Sequence, residues 1–71
     1  MTQRLYLRVG DRVAHLRYPQ WGEGAVVEEQ HSTLVGGFCM VRILFADEIE
    51  RAFINDIEND CCCYFAGIRI I

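Results

Sequence analysis

Apolar and polar residues alternate with a period of two along most of this chain, a pattern that predicts short strands rather than helices. Residues 4–9 put Leu5, Leu7 and Val9 on one face and Arg4, Tyr6 and Arg8 on the other, as a half-buried strand requires. Gly10 and Asp11 predict a turn, after which residues 12–16 resume with Val13 inward beside a solvated Arg12. Residues 19–24 read as a loop, because Pro19 has no amide donor and two glycines follow within five positions. The next strand covers residues 25–30 and fades into charge at Glu28 and Glu29, and residues 31–37, with Gly36 and Gly37, predict a hairpin loop. Residues 38–45 give the clearest strand, with Val41, Ile43 and Phe45 on one face and Met40, Arg42 and Leu44 on the other. Apolar on both faces, it belongs inside a sheet. Ala46, Asp47 and Glu48 form an acidic turn, and residues 50–54 return as the hairpin partner. The Asn and Asp side chains of residues 55–60 compete for local backbone hydrogen bonds and predict a single helical turn. Residues 62–71, apolar and partly β-branched, predict a closing strand.

No window sustains a helical apolar period for three turns, and no stretch is a linker or a repeat. Five or six short antiparallel strands in one domain, residues 1–71, predict an all-β fold closed or nearly closed into a barrel. Its predicted core is Leu5, Leu7, Val9, Val13, Val26, Val41, Ile43, Phe45, Phe53, Ile54, Ile68 and Ile70. A final strand carrying Ile68, Ile70 and Ile71 would have a sticky edge. It is expected to pair with residues 4–9, or with a second copy in a homodimer.

At 71 residues, 52% hydrophobic and 24% charged, the chain is a small globular domain. A chain this short hides only ~60% of the surface its unfolded form exposes, which leaves little stability for a strained, water-excluded active site. A binding module is therefore the expectation, not an enzyme. The formal charge of −3, with seven Arg and no Lys, argues against nonspecific nucleic-acid binding, which depends on neutralised phosphates. With Met1 first and no long apolar run, neither a signal peptide nor a membrane span is expected, and the sequence points to the cytoplasm.

Gly10 Asp11 Arg12 Val13, followed by Tyr18 Pro19 Gln20 Trp21 Gly22 Glu23 Gly24 Ala25 Val26 Val27, resembles the opening of small bacterial SH3-like or Tudor-like barrels. The similarity is to the GDxVxHPxWGxGxV pattern in the Tudor-like tail of UvrD/PcrA-type helicases. The RNA-polymerase-interacting domains of CarD and of transcription-repair coupling factor are looser relatives. Residues 41–45, the acidic turn and residues 50–54 match the strand, turn, strand layout of that family. Three extra residues, Leu16, Arg17 and Tyr18, depart from it, so that either the loop is longer or Tyr18 stands where the family usually has His. The resemblance implies a five- to six-stranded antiparallel SH3-like barrel. It also implies a protein-interaction module of the transcription or DNA-repair machinery, with RNA polymerase as one partner.

The WGxG element has a physical reading of its own. Glycines on either side of Glu23 let the chain turn sharply, and Trp21 offers a large amphipathic surface. Trp and Arg carry a disproportionate share of interface energy, so Arg17, Tyr18, Trp21 and Glu23 are the candidate partner contacts. Trp21 is equally suited to plug the barrel end. For the alternative, a nucleic-acid-binding barrel, Arg4, Arg8, Arg12 and Arg17 supply a local basic face opposed only by Asp11. A third reading builds a metal or redox site on Cys39, Cys61, Cys62 and Cys63 with His15 or His31. Structural zinc sites use CxxC-type pairs where this run offers only CxC, so no metal or other cofactor is expected and the cysteines read as small hydrophobes. Asp47, Glu48 and Glu50 lack the ligand spacing of a calcium loop. Neither His sits in a motif of nucleophilic catalysis.

Overall fold

The computed structural model describes residues 5–31 and 39–71. Five strands, β1 (Arg12–His15), β2 (Gly24–Gln30), β3 (Met40–Phe45), β4 (Glu50–Ile54) and β5 (Ile68–Ile70), form one antiparallel sheet in the order β4-β3-β2-β1-β5. The sheet curls into a half-barrel. A 3-10 turn, Pro19–Trp21, joins β1 to β2, and a one-turn helix α1, Cys63–Ala66, precedes β5. That helix is too short to cross a membrane, and no described helix is long and apolar enough to do so.

The β2-β3-β4 meander follows directly from the alternation. Val41, Ile43 and Phe45 are buried, and β3 has a neighbour on each side. A bulge between Val26 and Glu28 lets β2 bend around the core. Gly24 is a close-approach glycine, since a Cβ there would lie 2.7 Å from Ile43 Cγ2 and 2.9 Å from Phe45 Cδ1. The core comprises Leu7, Val13, Val26, Val41, Ile43, Phe45, Cys62, Cys63 and Ile68, with Tyr6, Trp21, Phe53 and Ile57 packed against it. Cys39, Cys62 and Cys63 are buried, and Cys61 is exposed.

The two ends of the chain depart from the alternation reading. Residues 5–9 form no strand: Leu5 makes one isolated bridge to Asp56, and the chain then turns at Arg8, where Asp11 N–H donates to the Arg8 carbonyl at 3.0 Å. Val9 sits on that turn and is 54% exposed rather than in the core. Arg4 and the 32–38 segment of the expected hairpin loop lie outside the described residues. Residues 55–60 form hydrogen-bonded turns, not a helical turn. The helix lies at Cys63–Ala66, where a strand is expected, because Gly67 at φ 115° ends it by donating to the Cys63 and Tyr64 carbonyls. Only Ile68–Ile70 is extended, and it pairs with β1, not with residues 4–9, through Val13 opposite Ile70 and His15 opposite Ile68. As an edge residue Ile70 is 50% exposed, while Leu5 and Ile54 are partly buried.

The first described residues nevertheless span the gap between the two edges of the sheet. Asn55, 1% exposed, holds them with its carbonyl and both ends of its side-chain amide, while its N–H stays with Cys39, just ahead of β3. Its backbone N–H donates to Cys39 O at 2.8 Å and its carbonyl accepts Tyr6 N–H at 3.0 Å. Its side-chain Oδ1 accepts Leu7 N–H at 2.7 Å and its Nδ2 donates to Leu7 O at 2.8 Å. The amide thus replaces a neighbouring strand's peptide. On the far side the Tyr6 hydroxyl donates to Ile68 O at 2.9 Å and bonds the Ile70 backbone, and the burial it suffers raises its pKa. The seam is closed by backbone at one side and by a phenol at the other.

Candidate interaction surface

The short β1–β2 connection folds back because Gly22, at φ 76°, donates its N–H to the Pro19 carbonyl at 3.1 Å. This places Tyr18 and Trp21 one turn apart, with their rings stacked at 4.6 Å and inclined by 13°. Trp21 is partly buried and meets Phe45 and His15 edge-on, with centroids 5.2 and 5.0 Å away. The Arg51 guanidinium lies over the indole at 3.7 Å. Asp47 grips the same guanidinium with a fork, Nη2 to Oδ2 at 2.9 Å and Nη1 to Oδ1 at 3.2 Å. The Arg51 hydrogen bonds hold the Asp47 carboxyl below its ordinary pKa. Tyr18 is the exposed member, at 43%.

His15 lies buried behind the stack. Its Nδ1 accepts the Arg17 backbone N–H at 3.1 Å, which leaves the proton of the neutral ring on Nε2. Burial lowers its pKa, and the positive charges of Arg17 and Arg51 lower it further. Of the candidate contacts, Arg17, Tyr18 and Trp21 are brought together, whereas Glu23 turns to an exposed ion pair with Arg12 at 2.9 Å. Of the arginines considered for nucleic acid, Arg12 is therefore partnered, and Arg8 and Arg17 are exposed. Sequence reasoning missed Arg51, and it weighed Asp47 and His15 as metal ligands rather than as parts of the Trp21 corner. The signal was the β4 alternation, because Arg51 stands opposite buried Ile43 and so points to the core side of the sheet.

Arg51 also ties this corner to β4, an edge strand. Bonding between Phe45 and Ile49 at one end and Asn55 and Cys39 at the other fixes which β4 groups face β3. The peptide groups of Glu50 and Ala52 point away from the sheet. Ile54, next along, is met by Cys62 through a parallel bridge. The opposite edge, β5, is covered: the Tyr6 hydroxyl and the Arg69 guanidinium, each at 2.9 Å, occupy the Ile68 carbonyl. Residues 47–60 at the open edge are also acidic: Arg51 pairs with Asp47 and Arg42 Nε lies 3.7 Å from Glu50, while Glu48, Asp56, Glu58 and Asp60 add further negative charge.

Among the described residues no three His, Cys, Asp or Glu side chains stand together as a metal site. Burial and the adjacent Cys62 push the Cys63 thiol up to about 12. Comparison of the chain with protein families, with curated proteins and with solved structures finds no match in any of the three.

Proposed function

We propose that this domain is a non-catalytic protein-interaction module that docks through the β4 edge and the adjoining Tyr18–Trp21 corner. The carrying observation is the asymmetry of the two edges: β5 is capped by Tyr6 and Arg69, while the peptide groups of Glu50 and Ala52 have no strand neighbour among the described residues. An extended partner segment completes the ladder at Glu50 and Ala52, and main-chain bonds of this kind give affinity without demanding a deep pocket. The surrounding acids select a segment with basic side chains. Tyr18 adds an exposed aromatic face at the Arg51 end of the strand.

The resemblance to helicase tails and to polymerase-interacting domains makes the transcription and repair machinery the first place to look, with bacterial RNA polymerase in the cytoplasm as the partner to test. Immobilised domain is offered purified core polymerase and, separately, duplex DNA. Ala52→Pro removes an edge N–H that points away from β3, a position where proline is tolerated. It is expected to preserve the fold and abolish polymerase binding, and Tyr18→Ala to weaken it, with modest salt dependence. Binding indifferent to Ala52→Pro would reject the edge. DNA binding that falls steeply with salt would favour the arginine-based nucleic-acid reading instead.

A further inference from the structure

The β2–β3 hairpin carries a second cluster, apart from the docking edge and independent of it. In the β2–β3 register Glu29 stands opposite Val41 and Gln30 opposite Met40, so the next step sets His31 opposite Cys39. Residues two apart on a strand share a face, which puts Glu29 behind His31. Cys39 Sγ lies 3.7 Å from His31 Nδ1, and His31 Nε2 lies 3.4 Å from Glu29 Oε1. Glu29 Oε2 is itself held by Val9 N–H at 3.0 Å. The three groups are strung in line through opposite nitrogens of the imidazole. They do not converge on one point, so they make a proton relay rather than a metal centre: a nucleophile, a base and a group that orients the base.

We propose that Cys39 is a peroxide-reactive thiol, deprotonated by His31 while Glu29 fixes the ring. His31 Nδ1 takes the thiol proton. The thiolate attacks one oxygen of hydrogen peroxide; the S–O bond forms as the O–O bond breaks. The departing hydroxide takes the proton back from the imidazolium and leaves as water. Sulfur loses two electrons, becoming a sulfenic acid, and the peroxide gains them. At 1% exposure Cys39 excludes bulky reagents, so the oxidant is hydrogen peroxide, the smallest hydroperoxide. Among the described residues only Cys39 has an imidazole against its sulfur. Cys61 is exposed without one, and Cys63 is held protonated by burial.

The intact protein is exposed to hydrogen peroxide, the reaction is stopped with catalase, and the chain is unfolded in dimedone so that trapping does not depend on access. Peptide masses then locate the oxidised sulfur, a disulfide involving Cys39 counting as the same event. Cys39 is expected to lead, although a bulky maleimide on the native protein labels Cys61 first. His31→Gln, at an exposed ring, is expected to keep the unfolding midpoint and slow Cys39 oxidation by about tenfold or more. Glu29→Gln slows it to a lesser degree, and decides the matter should His31→Gln fail to fold. Oxidation led by Cys61, or a Cys39 rate unchanged in the folded variants, would overturn the proposal.

Discussion

Replacing Asn55 by Ala removes the peptide-like clamp on Leu7. The side chain makes two bonds, of 2.7 and 2.8 Å, to the N–H and C=O of a residue that is completely buried. Neither Leu7 group has water to turn to. A buried polar group left unpaired costs about 1–3 kcal/mol, so two of them should cost about 2–6 kcal/mol. At roughly 0.05–0.15 kcal/mol per residue, a chain of 71 residues has only about 4–11 kcal/mol in all. Asn55→Ala is therefore expected to unfold at a much lower urea concentration, followed by far-UV circular dichroism. Asn55→Asp sharpens the test. Its carboxylate still accepts Leu7 N–H but opposes the Leu7 carbonyl, which raises its folded pKa above the unfolded ~3.9. The folded state then binds the proton more tightly, and the variant should regain stability as pH falls, when the acid O–H donates to that carbonyl. An Asn55→Ala midpoint equal to that of the parent would refute the reasoning.

Trp21→Ala should cost about 3–5 kcal/mol, because the indole packs on Phe45 and the core, whereas Tyr18→Ala should leave the melting temperature nearly unchanged. Thermal melts of the two variants check this directly. Burial and its arginine neighbours keep the folded His15 pKa below the unfolded 6.5. The unfolded chain binds more protons below that value, so stability is complete above it and declines as pH falls; urea midpoints should show the decline, and His15→Gln should flatten it. Ile43→Ala, in an interior strand, should cost about 2–5 kcal/mol by urea unfolding. Deleting residues 68–71 removes β5 with buried Ile68, and size-exclusion chromatography should find the product unfolded or aggregated.

The β2-β3-β4 meander was legible because its strands alternate, β3 most clearly, and each meets another strand. Residues 5–9 alternate just as well, yet their neighbour is the Asn55 side chain, which satisfies Leu7 without requiring an extended partner. Residues 55–60 pointed to local hydrogen bonding, and local bonds do form there, but nothing in the spacing revealed that Asn55 turns inward. At the other end the apolar run masked a helical turn whose one signal was Gly67. The interaction corner was half visible: the WGxG spacing singles out Trp21, with Tyr18 close by in the chain. Arg51 and Asp47 join them only through the β3–β4 register. The thiol relay needed the β2–β3 register in the same way, because Glu29, His31 and Cys39 match no local motif.

The Tyr6 latch also governs when the molecule becomes whole. Its hydroxyl reaches a carbonyl 62 positions along the chain, whereas the meander is built from neighbours in sequence. Local pairings form early and distant ones late. Until β5 and Tyr6 dock, the sheet has two open edges, at β1 and at β4, instead of one. Closure of these distant contacts, rather than assembly of the meander, is therefore the step that leaves the molecule with a single sticky side.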